Sequence, residues 1–344
     1  MSNYNMKKKL KILVVGLGSM GKRRIRNLLK LQYADIIAYD MSKSRRSEVQ
    51  KNYPVTIASS INDCLKQKPD AMIISTPPDK HLKYATIAIK HNIHFFTEVN
   101  LLSNHVEKII QHLQGSSIVA SPSYTMHFHP IVRELKKLSQ KKIIGSPLII
   151  QHHSGQYLSN WHPWENYKNF FVSKKITGGA KELLQVELLW MTYVFGDIQS
   201  VMGNVQKISK LDVNIDDVYQ ILLKFKNNIV CNVLVDVLSI PSFRETKIIG
   251  EMGTIVCNFN EGLIKIYKGK KMNAKYVKMG KVAKGYVGST PPETLYENEL
   301  QQFFKEIKQK KKYPYTFQDE LKLLHVLDAV KDSSKKKKQI ILDK

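Results

Sequence analysis

The sequence reads as an α/β protein: an N-terminal Rossmann doubly wound parallel sheet, then a C-terminal α/β domain with a mostly antiparallel open sheet. Three observations carry this expectation. Over residues 10–120 short apolar runs alternate with amphipathic stretches, the pattern of fully buried strands joined by helices. A glycine-rich turn, Gly16-Leu17-Gly18-Ser19-Met20-Gly21, follows the first apolar run. From about residue 145 the apolar runs lengthen and are separated by turn-like pairs such as Asn227-Asn228, which suits antiparallel pairing with one face left for a ligand or partner.

In order, strands are expected at 11–15, 35–39, 55–58, 71–75, 93–96 and 117–121, with helices between them at about 20–31, 60–66, 80–90 and 103–114. Further strands are expected at 147–153, 217–225, 229–238, 244–249, 253–258 and 262–267. Helices at about 293–308 and 317–331 come next, then a basic tail. The expected division is a dinucleotide-binding domain over 1–125, a substrate-binding and oligomerising domain over 126–332, and the tail over 333–344.

With 344 residues, 43% of them hydrophobic, the chain can fill two cores. No run approaches the roughly 18 apolar residues of a membrane span. The lysines at 7–9 precede an apolar run that passes straight into the glycine turn without a small-residue cleavage site, so no secretory signal is expected. Cys64, Cys231 and Cys257 are odd in number and widely spaced, which points to a reduced, cytoplasmic setting and no metal site. The net charge is +25. Its lysines lie in short dispersed clusters without a zinc finger or helix-turn-helix pattern, so neither nucleic acid nor membrane is the expected partner. A solvated surface that attracts phosphate-bearing ligands is.

The glycine turn sits between a strand and a helix, as a phosphate-binding turn must. Gly16 allows the tight turn, Gly18 lets backbone approach a pyrophosphate, and Gly21 lets helix and strand pack closely. Ser19 and Met20 begin the helix whose N-terminus favours an anion. Asp40 closes the second strand, 19 residues beyond Gly21, where a carboxylate accepts from a ribose 2′-hydroxyl. NAD is therefore the expected cofactor, while Lys43, Arg45 and Arg46 leave NADP open. Ser75, Thr76, Pro77 and His81, in the segment STPPDKH, lie on the loop after the fourth strand and are expected to wall the same site.

These segments, together with TEVNLL (97–102), SYTMHFHP (123–130), TGGAKELLQVELLWMTYVFG (177–196) and IIGEMGTI (248–255), resemble the Gfo/Idh/MocA oxidoreductases, the glucose–fructose oxidoreductase and inositol dehydrogenase group. The resemblance implies a nicotinamide cofactor and hydride exchange with a hydroxyl or keto carbon of a sugar, cyclitol or nucleotide sugar. It also implies a homo-oligomer, dimer or tetramer, formed through the second sheet. Two departures stand out. Where that family usually carries Glu-Lys-Pro, this chain has Glu98-Val99-Asn100, so Glu98 is retained for the cofactor and the lysine is lost. Where its helix carries a histidine, the aligned position is Glu187 or Val186, depending on the anchor.

The proton-transfer group must then be sought elsewhere. The candidates are Lys181, His162, Tyr167 and Glu187. The aromatic stretch 152–167 offers Trp161 and Trp164, and with Tyr124, His127 and Glu182 these form the expected substrate-binding set. The alternative expectation is a catalytically silent dinucleotide-binding sensor or partner subunit of the same fold.

Overall fold

The structure, a computed structural model, describes residues 9–32, 34–283 and 291–342. The chain forms two compact units, one of Met1–Ser123 with Tyr296–Leu321, the other of Tyr124–Leu295 with Lys322–Lys344. The sequence suggests one boundary near 125. The chain instead changes unit three times, because 296–321 return to the first unit.

The first unit runs β1 (Leu10–Val15), α1 (Ser19–Leu31), β2 (Ala34–Tyr39), α2 (Lys43–Asn52), β3 (Thr56–Ile57), α3 (Ile61–Lys66), β4 (Ala71–Ile74), α4 (His81–Lys90), β5 (His94–Thr97), α5 (Ser103–His112) and β6 (Ala120–Pro122). Its six strands lie in the order β3-β2-β1-β4-β5-β6 and pair in parallel throughout. The order reverses between β1 and β4, and ligands of such sheets bind beyond the carboxyl ends of strands at that switch. Ile12, Leu13, Val14, Ile73, Phe95 and Phe96 are buried, as continuous apolar runs covered on both faces require.

The second unit contains α6 (Pro130–Gln140), β7 (Pro147–Gly155), α7 (Ala180–Phe195), β8 (Ile198–Gln206), β9 (Val218–Phe225), β10 (Val230–Asp236), β11 (Phe243–Gly250), β12 (Gly253–Asn258), β13 (Leu263–Lys268) and β14 (Lys271–Tyr276). Helices α8 (Glu293–Gln309) and α9 (Phe317–Lys336) follow, each divided between the units, and β15 (Ile340–Ile341) ends the described chain. The nine-stranded sheet has the order β14-β13-β12-β11-β7-β10-β9-β8-β15. It is antiparallel except where β10 pairs β7. Tyr219, Ile221, Leu223 and Phe225 alternate into the core, on the face that α7 packs against. The segment expected as a basic tail continues α9 to Lys336 and then pairs with β8 as an edge strand. No helix of the described residues is long and apolar enough to cross a membrane.

Candidate functional site

In the first unit the glycine loop joins β1 to α1. Gly16 adopts φ +90°, and a side chain there would meet the Ser75 carbonyl oxygen at 2.6 Å. A Cβ on Gly21 would lie 1.8 Å from the Gly16 carbonyl oxygen, so the helix closes on the loop only with glycine at both ends. Gly18 differs, since its nearest neighbour would be an Arg45 nitrogen at 3.9 Å. It is also the N-cap of α1 with no side-chain capping bond. Open space above an uncapped helix start is what a pyrophosphate requires.

Asp40 is buried at the end of β2. Its Oδ2 accepts from the Leu17 amide at 2.7 Å and its Oδ1 from the Ser42 amide at 2.8 Å. One carboxylate thus joins the glycine loop to the turn that opens α2. Thr76 Oγ1 on the neighbouring loop is buried and has no hydrogen-bonding partner among the described residues. An orphaned hydroxyl beside the cradle fits a cofactor edge at this position.

Behind the loop, the segment Glu98-Val99-Asn100 has its own logic. Arg24, wholly buried on α1, grips Glu98 through two parallel bonds of 2.6 and 2.8 Å and reaches Glu299 at 2.7 Å. Ser75 and Ser123 donate to the two carboxylates. The two neighbouring carboxylates hold the guanidinium charged against the cost of its burial. Asn100 uses what a proline lacks: its amide N–H donates to Glu320 at 3.3 Å, and Tyr315 donates to the other oxygen of that carboxylate at 2.7 Å. The Asn100 side chain bonds the His81 Nδ1 atom at 2.8 Å and Thr97 Oγ1 at 2.9 Å, and His81 Nε2 meets the Thr76 carbonyl at 2.9 Å. Burial lowers the His81 pKa. Both atoms that face the ring, Asn100 Oδ1 and the Thr76 carbonyl oxygen, are acceptors, so a neutral ring donates to one of them, according to its tautomer. Glu98 and His81 are both buried and hold the loop that carries Ser75, Thr76 and Pro77.

In the second unit, Glu187 of α7 is buried against the inner face of the sheet. It accepts from Trp190 Nε1 at 2.6 Å and pairs with Arg244 Nε at 2.8 Å and His152 Nε2 at 3.0 Å. His152 Nδ1 meets Thr246 Oγ1 at 2.8 Å. Cross-strand register sets these groups side by side, with Thr246 opposite His152 and Arg244 opposite Ser154. Burial would raise the Glu187 pKa, but Arg244 and His152 pull it down to about 2. A carboxylate sealed from solvent and held ionised cannot exchange a proton with a substrate, so Glu187 is withdrawn as acid/base. It anchors α7 to β7 and β11.

The other candidates separate. His162 lies in a stack, 5.1 Å from Trp164 and 4.7 Å from Phe170 by ring centroids, with Glu165 3.5 Å from its Nδ1. Both ring faces are covered, which favours packing over proton transfer. Trp164 ends the stack and is 52% exposed. Trp161 donates to the Gln156 carbonyl, and Tyr167 opens a short 3-10 turn. Tyr124 is buried beside His127 and Phe128. His127 stacks on Tyr193 at 4.1 Å. Glu182 lies in the first turn of α7.

Lys181, in the same turn, is 5% exposed. Burial, reinforced by Lys331 and opposed by Asp328, lowers its pKa to about 8. The unfolded chain binds this proton more tightly between about 8 and 10.5, so the folded state is penalised below that window and recovers as pH climbs through it. Lys181→Met is expected to stabilise the protein by about 1–3 kcal/mol at pH 7. The gain should be lost by about pH 10.5, the ordinary lysine value. Urea unfolding at the two pH values checks this.

A family model described as oxidoreductase family, NAD-binding Rossmann fold, matches residues 10–116, and the GFO/IDH/MocA C-terminal domain model matches 132–256. The chain belongs to the Gfo/Idh/MocA oxidoreductases. As a member it carries the NAD-binding Rossmann domain of an oxidoreductase family. A curated relative, Oxidoreductase P35 of Formosa agariphila, is 23% identical over 203 residues, which is 58% of this chain and 62% of that protein. Levoglucosan dehydrogenase in complex with NADH superposes with a TM-score of 0.83 at 17% identity, covering 98% of this chain and 100% of that one. The WlbA dehydrogenase of Bordetella pertussis, in complex with NADH and UDP-GlcNAcA, gives 0.79 at 14% identity, covering 98% and 99%. At these identities the likeness to solved structures is one of fold.

Proposed function

We propose that the protein moves a hydride between NAD(H) and a hydroxyl or keto carbon of a sugar, cyclitol or nucleotide sugar. The observation that carries the reading is the glycine loop clasped by Asp40 in a chain of this family. The substrate class is supported by relatives of the same fold named for, or bound to, levoglucosan and UDP-GlcNAcA. Bound NAD supplies the hydride acceptor or donor. The chain's own residues hold the pyrophosphate on the loop amides, orient the ribose through Asp40, and move one proton at the reacting oxygen. Val99 cannot carry a proton, and Glu187 is committed to Arg244. Lys181 is assigned that task, because a buried ammonium with a pKa of about 8 takes and returns a proton near neutral pH; Tyr167 is the alternative. Incubation with NAD(H) and a panel of levoglucosan, inositol and nucleotide sugars, followed by nicotinamide absorbance, tests the reading. Turnover lost in Lys181→Met and kept in Tyr167→Phe supports it. Tight NAD binding with no turnover on any of the panel overturns it in favour of a silent partner subunit, a reading that the replaced lysine and histidine favour.

We also infer that copies associate through the outer face of the nine-stranded sheet. Ile149, Met202, Leu222 and Val230 point away from α7 and are 40%, 46%, 54% and 47% exposed. Gln151, Gln220 and Asn232 alternate with them. A broad apolar and amide-bearing face suits a self-complementary contact. Leu222→Lys is expected to convert the assembly to monomer in light scattering without changing NAD affinity; a monomeric wild type contradicts the inference.

A further inference from the structure

Residues 262–283 carry seven lysines and no aspartate or glutamate, and the hairpin β13–β14 that they contain closes one end of the nine-stranded sheet. Among the described residues β14 pairs with β13 alone, so it is an edge strand. Just past it, the Val277 amide donates to the Gly262 carbonyl at 2.7 Å. In the register that sets Leu263 opposite Tyr276 and Lys268 opposite Lys271, bonding alternates by twos from that pair and turns Lys271, Asn273 and Lys275 toward β13. Met272, Ala274 and Tyr276 then point their N–H and C=O groups away from the sheet.

The two faces of this edge differ in chemistry. Lys268 and Lys271 are cross-strand partners on one face, a like-charge pair that costs stability until an anion joins it. Lys275, on the same face, pairs with Glu134 of α6 at 2.8 Å. Neither Lys268 nor Lys271 has an acidic partner among the described residues. The other face sets Met272 beside Tyr267 and Tyr276 beside Leu263, and Tyr276 is 75% exposed. An open edge with lysines on one side and apolar groups on the other fits an extended segment that alternates acidic and apolar residues. A second copy of this chain does not fit. Its own β14 would set lysine against lysine, the arrangement by which edges resist self-pairing. Three strands also lie between β14 and β7, which separates the edge from the patch of Ile149, Leu222 and Val230.

We propose that β14 is a docking edge for an acidic protein segment, which adds to the sheet as a further strand. Its carboxylates lie against Lys268 and Lys271, and its apolar side chains against Tyr267, Met272 and Tyr276. The outward N–H and C=O groups of Met272, Ala274 and Tyr276 supply the ladder, which a peptide backbone can complete and a polyanion without amides cannot. The contact does not depend on the redox reading, since none of these residues belongs to the glycine loop or to α7.

Fluorescence anisotropy on the full chain tests this with two labelled peptides of one composition and with a labelled oligouridylate. One peptide alternates glutamate with valine; the other carries its glutamates in one block and its valines in the next. The alternating peptide is expected to bind at least about tenfold tighter than the block peptide, because only it matches both faces of the edge. Lys271→Glu should weaken it by roughly tenfold, a like-charge contact replacing an opposite one. Ala274→Pro removes one outward donor and spares the ladder to β13. It should therefore weaken the alternating peptide by roughly tenfold with the melting temperature held. Equal binding of the two peptides, or binding of neither, overturns the proposal, as does full affinity in Ala274→Pro. An oligouridylate that binds tighter than the alternating peptide and is lost in Lys271→Glu also overturns it, since the partner is then a nucleic acid.

Discussion

Arg24→Met is expected to lower the unfolding free energy by about 3–5 kcal/mol, the cost of leaving buried charge without its partner. Glu98 and Glu299 both depend on this one guanidinium. With methionine in its place the two carboxylates repel each other inside the first unit, and neither can reach water without opening the fold. Glu98 also accepts from Ser75, so the loop that walls the cofactor loosens and NAD affinity falls as well. Arg24→Lys keeps the charge but loses the fork and should recover only part of the stability. Urea unfolding of the three proteins measures this, and a loss under about 1 kcal/mol for the methionine variant would mean that the triad is solvated in solution.

Gly21→Ala is expected to reduce NAD affinity on the order of a hundredfold, because a displacement near 1 Å at a positioning element costs that much. The added Cβ would lie 1.8 Å from the Gly16 carbonyl oxygen. That atom is backbone, with no flexible end to yield, so α1 must lift from the loop and carry its N-terminus away from the phosphates. Gly18→Ala is the informative contrast. Its Cβ meets nothing of the protein closer than 3.9 Å, so the melting temperature should hold while affinity drops, the methyl group occupying the ligand's space. Equal melting losses in the two variants would show that the loop, rather than the ligand, needs Gly18.

The first unit was largely legible because its signals are local. Apolar runs marked β1, β2, β4 and β5, and the glycine loop with Asp40 named the cofactor. Helix α2 escaped notice because only Val49 of its ten residues is buried, leaving no apolar face to read. Strand β14 is exposed at every position, so it lacks alternation, and β8 carries Gly203 where a side chain would strike Val330. The site of the second unit was less legible. Nothing in the spacing of His152, Glu187 and Arg244 announces that strand register and a helix turn bring them together. The same holds for Asn100, which looks like the loss of a proline until its amide is seen to serve Glu320 and its side chain His81.

The return of residues 296–321 to the first unit bears on the order in which this protein can be made. Glu299 lies 275 positions after Arg24, so a ribosome must deliver almost the whole chain before the acid that completes the triad emerges. A nascent N-terminal half holds Arg24 with Glu98 alone, and its last strand waits with Ser123 unbonded to Glu299. Such late closure favours a Rossmann half that stays loose during translation and sets only when the second unit is nearly finished. A fragment cut after residue 123 should inherit that looseness, whereas one rejoined to 296–321 by a short linker should regain a firm fold.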